Sequence, residues 1–361
     1  MFCNNTIQLR MRIESELKLD FDDVLLRPKR STLQSRQQVS LEREFQFKHG
    51  GTYKGIPIMA ANMDGVGTKQ MAASLKKLDL FTCLVKSIKT ESLRDFFYEF
   101  NVDQHAAVTI GVSQEEIKKF TDTYKLVRVM RPLNYVCIDV ANGYTKKLGN
   151  VVRDIREFAP SINIIAGNVV TAEMVEELLL AGADIIKVGI GSGAVCTTRV
   201  KTGVGYPQFS AIAECADAAH GLGGHIISDG GCNNTGDVAK AFGAGADFVM
   251  LGSMLAGHKE GGGEVMEEDG RPVVKFYGMS SKTANEKHFG GLMDYRTSEG
   301  RTVHIPYKGE IKDTVQDILG GVRSACTYVG ARELKHLSKC ATFVRVNNTH
   351  NNLLEKYTVG Y

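Results

Sequence analysis

Residues Asp184 to Gln208 read DIIKVGIGSGAVCTTRVKTGVGYPQ. Ile185 to Ile190 is a short β-branched run broken by one lysine, the pattern of a buried parallel strand that gives way to a loop. In that loop Gly189, Gly191 and Gly193 permit positive φ, so carbonyls and N–H groups can turn inward onto an ion or ligand. Cys196 ends the loop, followed by the hydroxyls of Thr197 and Thr198 and the fixed charge of Arg199. A lone cysteine is commonly a small buried apolar residue. A thiol in a glycine-rich loop at a strand's C-terminal end, with hydroxyls and a cation beside it, is instead the setting of an activated nucleophile.

Outward from this stretch the chain alternates. Apolar segments at Pro57 to Met63, Leu80 to Val85, Ala106 to Val112, Tyr135 to Ala141, Ile162 to Val169, Ile185 to Gly191, His225 to Gly231 and Phe248 to Met254 are each followed by residues able to form a helix. Eight such pairs in about 200 residues predict a single α/β domain folded as a (β/α)8 TIM barrel. The helices carry their own signal. Ala172 to Ala181 places Met174, Val175, Leu178 and Leu179 at helical spacing, Glu173, Glu176 and Glu177 on the wet face, and Gly182 as a stop. Only about 20 residues separate the second and third segments, room for one crossover helix and nothing more.

Composition narrows the partners. A net charge of +3 spread over 44 basic and 41 acidic residues gives no basic face for nucleic acid, although a small anionic ligand fits. The eight cysteines form no C-x-x-C pair and no zinc spacing, which predicts reduced thiols in a cytoplasmic protein. The N-terminus lacks an apolar signal region and no run reaches membrane-spanning length, so no membrane partner is expected.

Barrel enzymes gather function on the loops after the strands, with phosphate commonly after strands seven and eight. SDGG at Ser228 to Gly231 and LGSM at Leu251 to Met254 stand there, offering a carboxylate and unobstructed backbone N–H groups. Lys86 follows the second strand and DVANG at Asp139 to Gly143 ends the fourth. Further on, Asp269-Gly270 marks a hairpin turn ahead of FYGMSS at Phe276 to Ser281. Polar YRTSEGR at Tyr295 to Arg301 reads as a mobile flap. No G-x-G-x-x-G fingerprint follows a strand, so a dinucleotide would lie across the barrel mouth.

The G-x-G-x-x-C-x-T loop resembles that of the IMP dehydrogenase and GMP reductase family, and VCTTRVKTGVGYPQ is most similar to its reductase branch. The similarity runs from about Met11 to Val346, leaving residues 1–10 as an N-terminal extension and 11–361 as the barrel with a hairpin and flap at about 259–310. The family's dehydrogenases typically insert CBS modules between the second and third strands, and this chain has none. The resemblance implies that DFDDVLLRPKRSTL, from Asp20, is a strap closing the barrel bottom. It implies NADPH-dependent conversion of GMP to IMP with release of ammonia, through a covalent bond between Cys196 and C2 of the purine.

Carried over residue by residue, Cys196 is the nucleophile, Thr198 and Glu299 handle the proton, and Lys86 joins the catalytic set and faces the cofactor. Asp229 takes the ribose hydroxyls; Gly231, Gly252 and Ser253 cradle the phosphate; Gly230, Gly278, Met279, Ser280 and Arg296 complete the GMP/IMP contacts. NADP(H) is met by Asp139, Val140, Ala141, Met279, Tyr295 and Arg296. Its adenosine end is met by Ser35, Arg36, Ser324, Ala325, Cys326 and Thr327 of a neighbouring subunit, in a homotetramer. A monovalent cation, K+, rests on backbone carbonyls of Gly191, Gly193, Cys196 and Arg199. The sequence departs from the reductase pattern at Leu84-Val85-Lys86-Ser87-Ile88, where histidines usually flank the lysine, and at Gly65, Ser192 and Ala194. The rival readings are an IMP dehydrogenase running in the opposite redox direction and a catalytically silent nucleotide-binding barrel.

Overall fold

Eight short strands pair in parallel, in chain order, and close on themselves. They are β1 (Ile58–Ala60), β2 (Phe81–Cys83), β3 (Ala106–Ile110), β4 (Tyr135–Asp139), β5 (Asn163–Val169), β6 (Ile185–Val188), β7 (His225–Asp229) and β8 (Phe248–Leu251). Closure is made by β8 on β1, with Val249, Met250 and Leu251 opposite Ile58, Met59 and Ala60. The computed structural model describes residues 12–291, 293–294 and 297–347; the expected extension at 1–10 lies outside them. All eight expected segments are strands. Their ends fall short where turn residues such as Asn62-Met63 and Gly230-Gly231 take over.

Helices α1 (Lys69–Lys76), α2 (Thr90–Phe100), α3 (Gln114–Arg128), α4 (Lys146–Phe158), α5 (Ala172–Leu180), α6 (Gln208–Gly221), α7 (Thr235–Gly243) and α8 (Ile311–Val329) cover the barrel. With both faces covered, the strands are mostly apolar, as in Ile185, Ile186 and Val188 of β6, which Lys187 alone interrupts. Local signals start the helices. Ser113 and Glu116 form a reciprocal capping box on α3. On α5, Val175, Leu178 and Leu179 are buried while Glu173, Glu176 and Glu177 face solvent. No described helix is long and apolar enough to cross a membrane.

The strap runs differently from the expectation. Asp20 and Phe21 reach the loops after β6 and β7, where Asp20 accepts from Arg199 and from the Gln208 N–H. Val24–Leu26 then pairs antiparallel with Phe343–Arg345. The barrel bottom is closed instead by a hairpin of Arg43–Gln46 and Thr52–Gly55. Phe45 stacks on Phe248 at 4.5 Å, and Phe47 meets Tyr135 edge-on at 6.0 Å, both at first residues of barrel strands.

Carboxylates at the strand starts pin this plug. Asp247 pairs with Arg43 at 3.4 Å and His220 at 2.8 Å, and Asp184 pairs with His49 at 2.9 Å and Arg156 at 2.7 Å. Burial alone would raise the Asp247 carboxyl, but a hydrogen bond from His220 and the His225 ring 3.5 Å away hold it well below the usual carboxylate range. His220 is raised by the same bond. A depressed acid stabilises the fold above its unfolded pKa, about 3.9, and a raised histidine stabilises it below about 6.5. The gap in unfolding midpoint between wild type and Asp247→Asn should therefore be widest between about pH 4 and 6.5 and narrow on either side. A pH-independent gap in thermal scans would contradict this.

Past β8, Asp269-Gly270 makes the expected two-residue turn, with φ of +51° and +71°, between β9 (Val265–Glu268) and β10 (Arg271–Tyr277). A third strand unforeseen in the sequence, β11 (Thr302–Pro306), returns from the flap and pairs with β10.

Candidate active site

At the end of β6 the chain turns so tightly that a Cβ on Gly189 would lie 2.0 Å from the Asp229 carbonyl oxygen. Gly191, at φ +76°, then aims the loop over the barrel mouth. Cys196 follows a turn in which its N–H donates to Gly193 O at 3.0 Å. A short helix, Thr198–Thr202, anchors the loop's far side. Arg199 of that helix donates to Asp20 at 2.7 Å and to Tyr206 O, so the N-terminal strap holds the cysteine loop.

Glu299 is brought to this loop from 101 residues beyond Thr198. The flap segment lies antiparallel to it, with Cys196 opposite Gly300. Thr197 N–H donates to Glu299 O at 2.8 Å, and Arg301 N–H donates to Val195 O at 2.9 Å. The result is a continuous line: Cys196 Sγ donates to Thr198 Oγ1 at 3.2 Å, and Thr198 Oγ1 donates to Glu299 Oε2 at 2.7 Å. A thiol, a hydroxyl and a carboxylate so oriented can pass the thiol proton to the carboxylate and leave a thiolate. Cys196 itself is half-buried, and so within reach of a ligand.

Asp139 and Asp229 end β4 and β7 and stand at the barrel mouth. Between them is the lysine that interrupts β6, Lys187, 1% exposed. Its Nζ lies 2.5 Å from Asp139 Oδ2 and 3.3 Å from Asp229 Oδ2, and it donates to Asn62 Oδ1 at 3.2 Å. Asn62 donates to Asp139 at 2.8 Å, and Asn168 donates to Asp229 at 2.8 Å. Burial would lower the lysine and raise Asp139; their mutual attraction reverses both, so the lysine is raised and the carboxyl lowered. The sequence reading missed Lys187, Asn62 and Asn168. The signal was present for the first, since an unpartnered lysine inside an apolar strand is costly.

Val140 is fixed by backbone bonds with Gly167 and Asn168, and Ala141 follows it to the mouth. Lys86 is not part of the proton line. Its side chain points to Glu116 at 3.7 Å, its carbonyl accepts from Lys119, and its charge helps keep Asp139 ionised.

Gly230 and Gly231, at φ +90° and +83°, bare the backbone after β7. Ser192, one of the departures, donates to Asp229 O at 3.0 Å and so ties the cysteine loop to that turn. Gly252 and Ser253 open a single helical turn after β8. Gly278, Met279 and Ser280 arrive from β10: Gly278 N–H donates to Arg301 O, Ser280 O accepts from Glu299 N–H, and Met279 Sδ accepts from Asp64 N–H at 3.4 Å. The buried Asp64 also accepts from Tyr277 at 2.6 Å, His288 at 2.7 Å and Lys287 at 2.9 Å, clamping the hairpin onto the loop after β1. Tyr295 and Arg296 lie outside the described residues.

Ser35, Arg36 and Thr327 line a cavity of about 270 Å³ on the barrel flank, with Leu33, Gln34 and Tyr328. Ser324 and Ala325 are half-buried on α8, whereas the Cys326 thiol points into the core and is pushed up to about 12 by burial. A larger hollow of about 490 Å³, lined by Tyr124, Lys125, Arg128, Val129 and Phe158, contains none of the site residues. In the cysteine loop the Gly193 and Arg199 carbonyls already accept from Cys196 and Gly203 N–H groups. Each carbonyl keeps a second lone pair, the kind of donor a monovalent cation takes.

A closed parallel barrel with a thiol–hydroxyl–carboxylate line over its mouth has the arrangement of a barrel-enzyme active site. Comparison with known proteins refines the class. The family model for the IMP dehydrogenase / GMP reductase domain matches residues 18–356. A protein named GMP reductase from Shewanella pealeana is 57% identical over 349 residues, covering 96% of this chain and 100% of that one. GMP reductase from Aeromonas hydrophila is 57% identical over the same span and coverage. That from Escherichia coli O157:H7 is 57% identical over 346 residues, covering 95% and 99%. The chain belongs to the IMP dehydrogenase / GMP reductase family.

Proposed function

We propose that this chain is a GMP reductase: GMP, NADPH and two protons give IMP, NADP+ and ammonium. The observation that carries the reading is the directed line from Cys196 through Thr198 to Glu299. Along it the thiol proton moves to Glu299, leaving a thiolate and a carboxylic acid. The thiolate adds to C2 of the purine, and the displaced π electrons settle on N3. Glu299 then returns its proton, by way of Thr198, to the exocyclic amine. The C–N bond breaks, ammonia leaves, and the ring C=N bond re-forms with the purine attached to sulfur. NADPH supplies hydride to the same carbon. The C–S bond breaks as the C=N bond forms again, and Cys196 takes one solvent proton to reset; the other proton makes ammonium. Covalent addition thus divides one difficult displacement into two easier ones.

Asp229 and the bared backbone of Gly230, Gly231, Gly252 and Ser253 would hold ribose and phosphate, with Gly278, Met279, Ser280 and Arg296 over the base. Asp139, Val140, Ala141, Lys86 and Tyr295 would face the nicotinamide. K+ would rest on carbonyls of Gly191, Gly193, Cys196 and Arg199 and stiffen the loop that carries the thiol. The protein would work in the cytoplasm, in keeping with the free thiols of all seven described cysteines. The direct test is to mix protein, GMP and NADPH and follow NADPH absorbance with ammonia; they should change one for one. Ammonia without NADPH loss would point to a deaminase. NAD+ reduction with IMP, and nothing with GMP, would point to the dehydrogenase.

The flank cavity at Ser35, Arg36 and Thr327 would take the adenosine end of a neighbour's cofactor in a homotetramer. Dissociated subunits should then bind GMP but lose NADPH. Sedimentation under assay conditions checks this, and a fully active monomer would remove the assembly from the account.

A further inference from the structure

We infer that Lys187 is a positioning residue that holds the nucleotide carboxylate and the cofactor carboxylate in one frame, so that neither pocket is set without the other. The inference rests on the reading above, in which Asp229 takes the GMP ribose and Asp139 faces the nicotinamide. Lys187 touches both through the same kind of atom. Each acid spends its Oδ2 on Lys187 and on one asparagine, Asn62 for Asp139 and Asn168 for Asp229. Among the described residues neither Oδ1 receives a hydrogen bond, which leaves one oxygen of each acid for a ligand.

The fold makes room for this cation at some cost. A Cβ on Gly167 of β5 would lie 2.7 Å from the Cβ of Lys187, so the neighbouring strand gives up a side chain beside it. Without the ammonium, two carboxylates and two amides would face each other at the base of the mouth. Repulsion would turn the acids apart, and their free oxygens would no longer match a ribose or a carboxamide. With one lysine between two acids the base keeps a net negative charge, suited to hydroxyl and amide donors. Phosphate is left to the bared backbone after β7 and β8.

The test compares wild type, Lys187→Met and Lys187→Arg in steady-state GMP reduction, with GMP binding measured separately by calorimetry. Lys187→Met should raise the Michaelis constants for both GMP and NADPH at least about tenfold and weaken GMP binding in parallel. Alkylation of Cys196 by iodoacetamide should stay within about twofold of wild type, because the proton line is untouched. Lys187→Arg, which restores a cation, should recover both Michaelis constants to within about threefold. If Lys187→Met does not fold, Lys187→Gln gives the same reading. Unchanged Michaelis constants in the uncharged variant overturn the inference, as does a fall in turnover alone, which a merely structural lysine would give. A wild type that does not turn over GMP overturns the underlying reading and is seen before any variant is compared.

Discussion

Cys196→Ala should bind GMP with an affinity within about threefold of wild type and lose at least about 10³-fold in turnover, as expected when a covalent nucleophile is removed. The thiol spends its hydrogen bond on Thr198, which is not assigned to phosphate or ribose. The loop around it is held by backbone bonds that alanine keeps, Cys196 N–H to Gly193 O and Thr197 N–H to Glu299 O. Binding by calorimetry and turnover by NADPH absorbance separate the two effects. A variant keeping more than a few per cent of the wild-type rate would show that no bond to sulfur is needed.

Glu299→Gln should split the reaction. The amide keeps the size of the side chain and can still accept from Thr198, while the backbone bonds of Glu299 to Thr197 and Ser280 are unaffected. What is lost is the group that takes the thiol proton and returns it to the amine. Loss of a general acid typically costs about 10² to 10⁴-fold, so GMP reduction should fall by that much. Starting instead from IMP and NADP+, no amine departs and Cys196 releases its proton to solvent, the closing step above run backwards, so hydride loss from the purine in a single turnover should fall much less than GMP reduction. An equal loss in both directions would mean that Glu299 acts through thiolate formation or flap position and not on the departing amine. Full activity in both would make it a bystander.

The barrel was legible because its strands are short β-branched runs set between turn residues, and because α5 and the Asp269-Gly270 turn carry complete local signals. The plug was not. Arg43–Gln46 and Thr52–Gly55 are too short to stand out, and they are held by Phe248, Tyr135, Asp247 and Asp184 from far along the chain. The site divides in the same way. Cys196 and Thr198 are neighbours whose spacing points to a proton partner, but Glu299 would pass for a solvated acid without the family resemblance, since its bond to Thr198 spans 101 residues. Lys187 was visible as an oddity in β6. Its meaning depends on Asp139 and Asp229, which closure of the barrel brings to it from 48 residues before and from the following strand, β7.

The most direct measurement incubates the protein with IMP and NADP+ in the absence of ammonia and locates any covalent adduct by peptide mass spectrometry. Thiolate addition to C2 followed by hydride loss to NADP+ should leave a purine nucleotide on the peptide containing Cys196. Added ammonia should release it as GMP, and little xanthosine monophosphate should form. An enzyme that interconverts GMP and IMP with no nucleotide on Cys196, or with the nucleotide on another residue, would contradict the account.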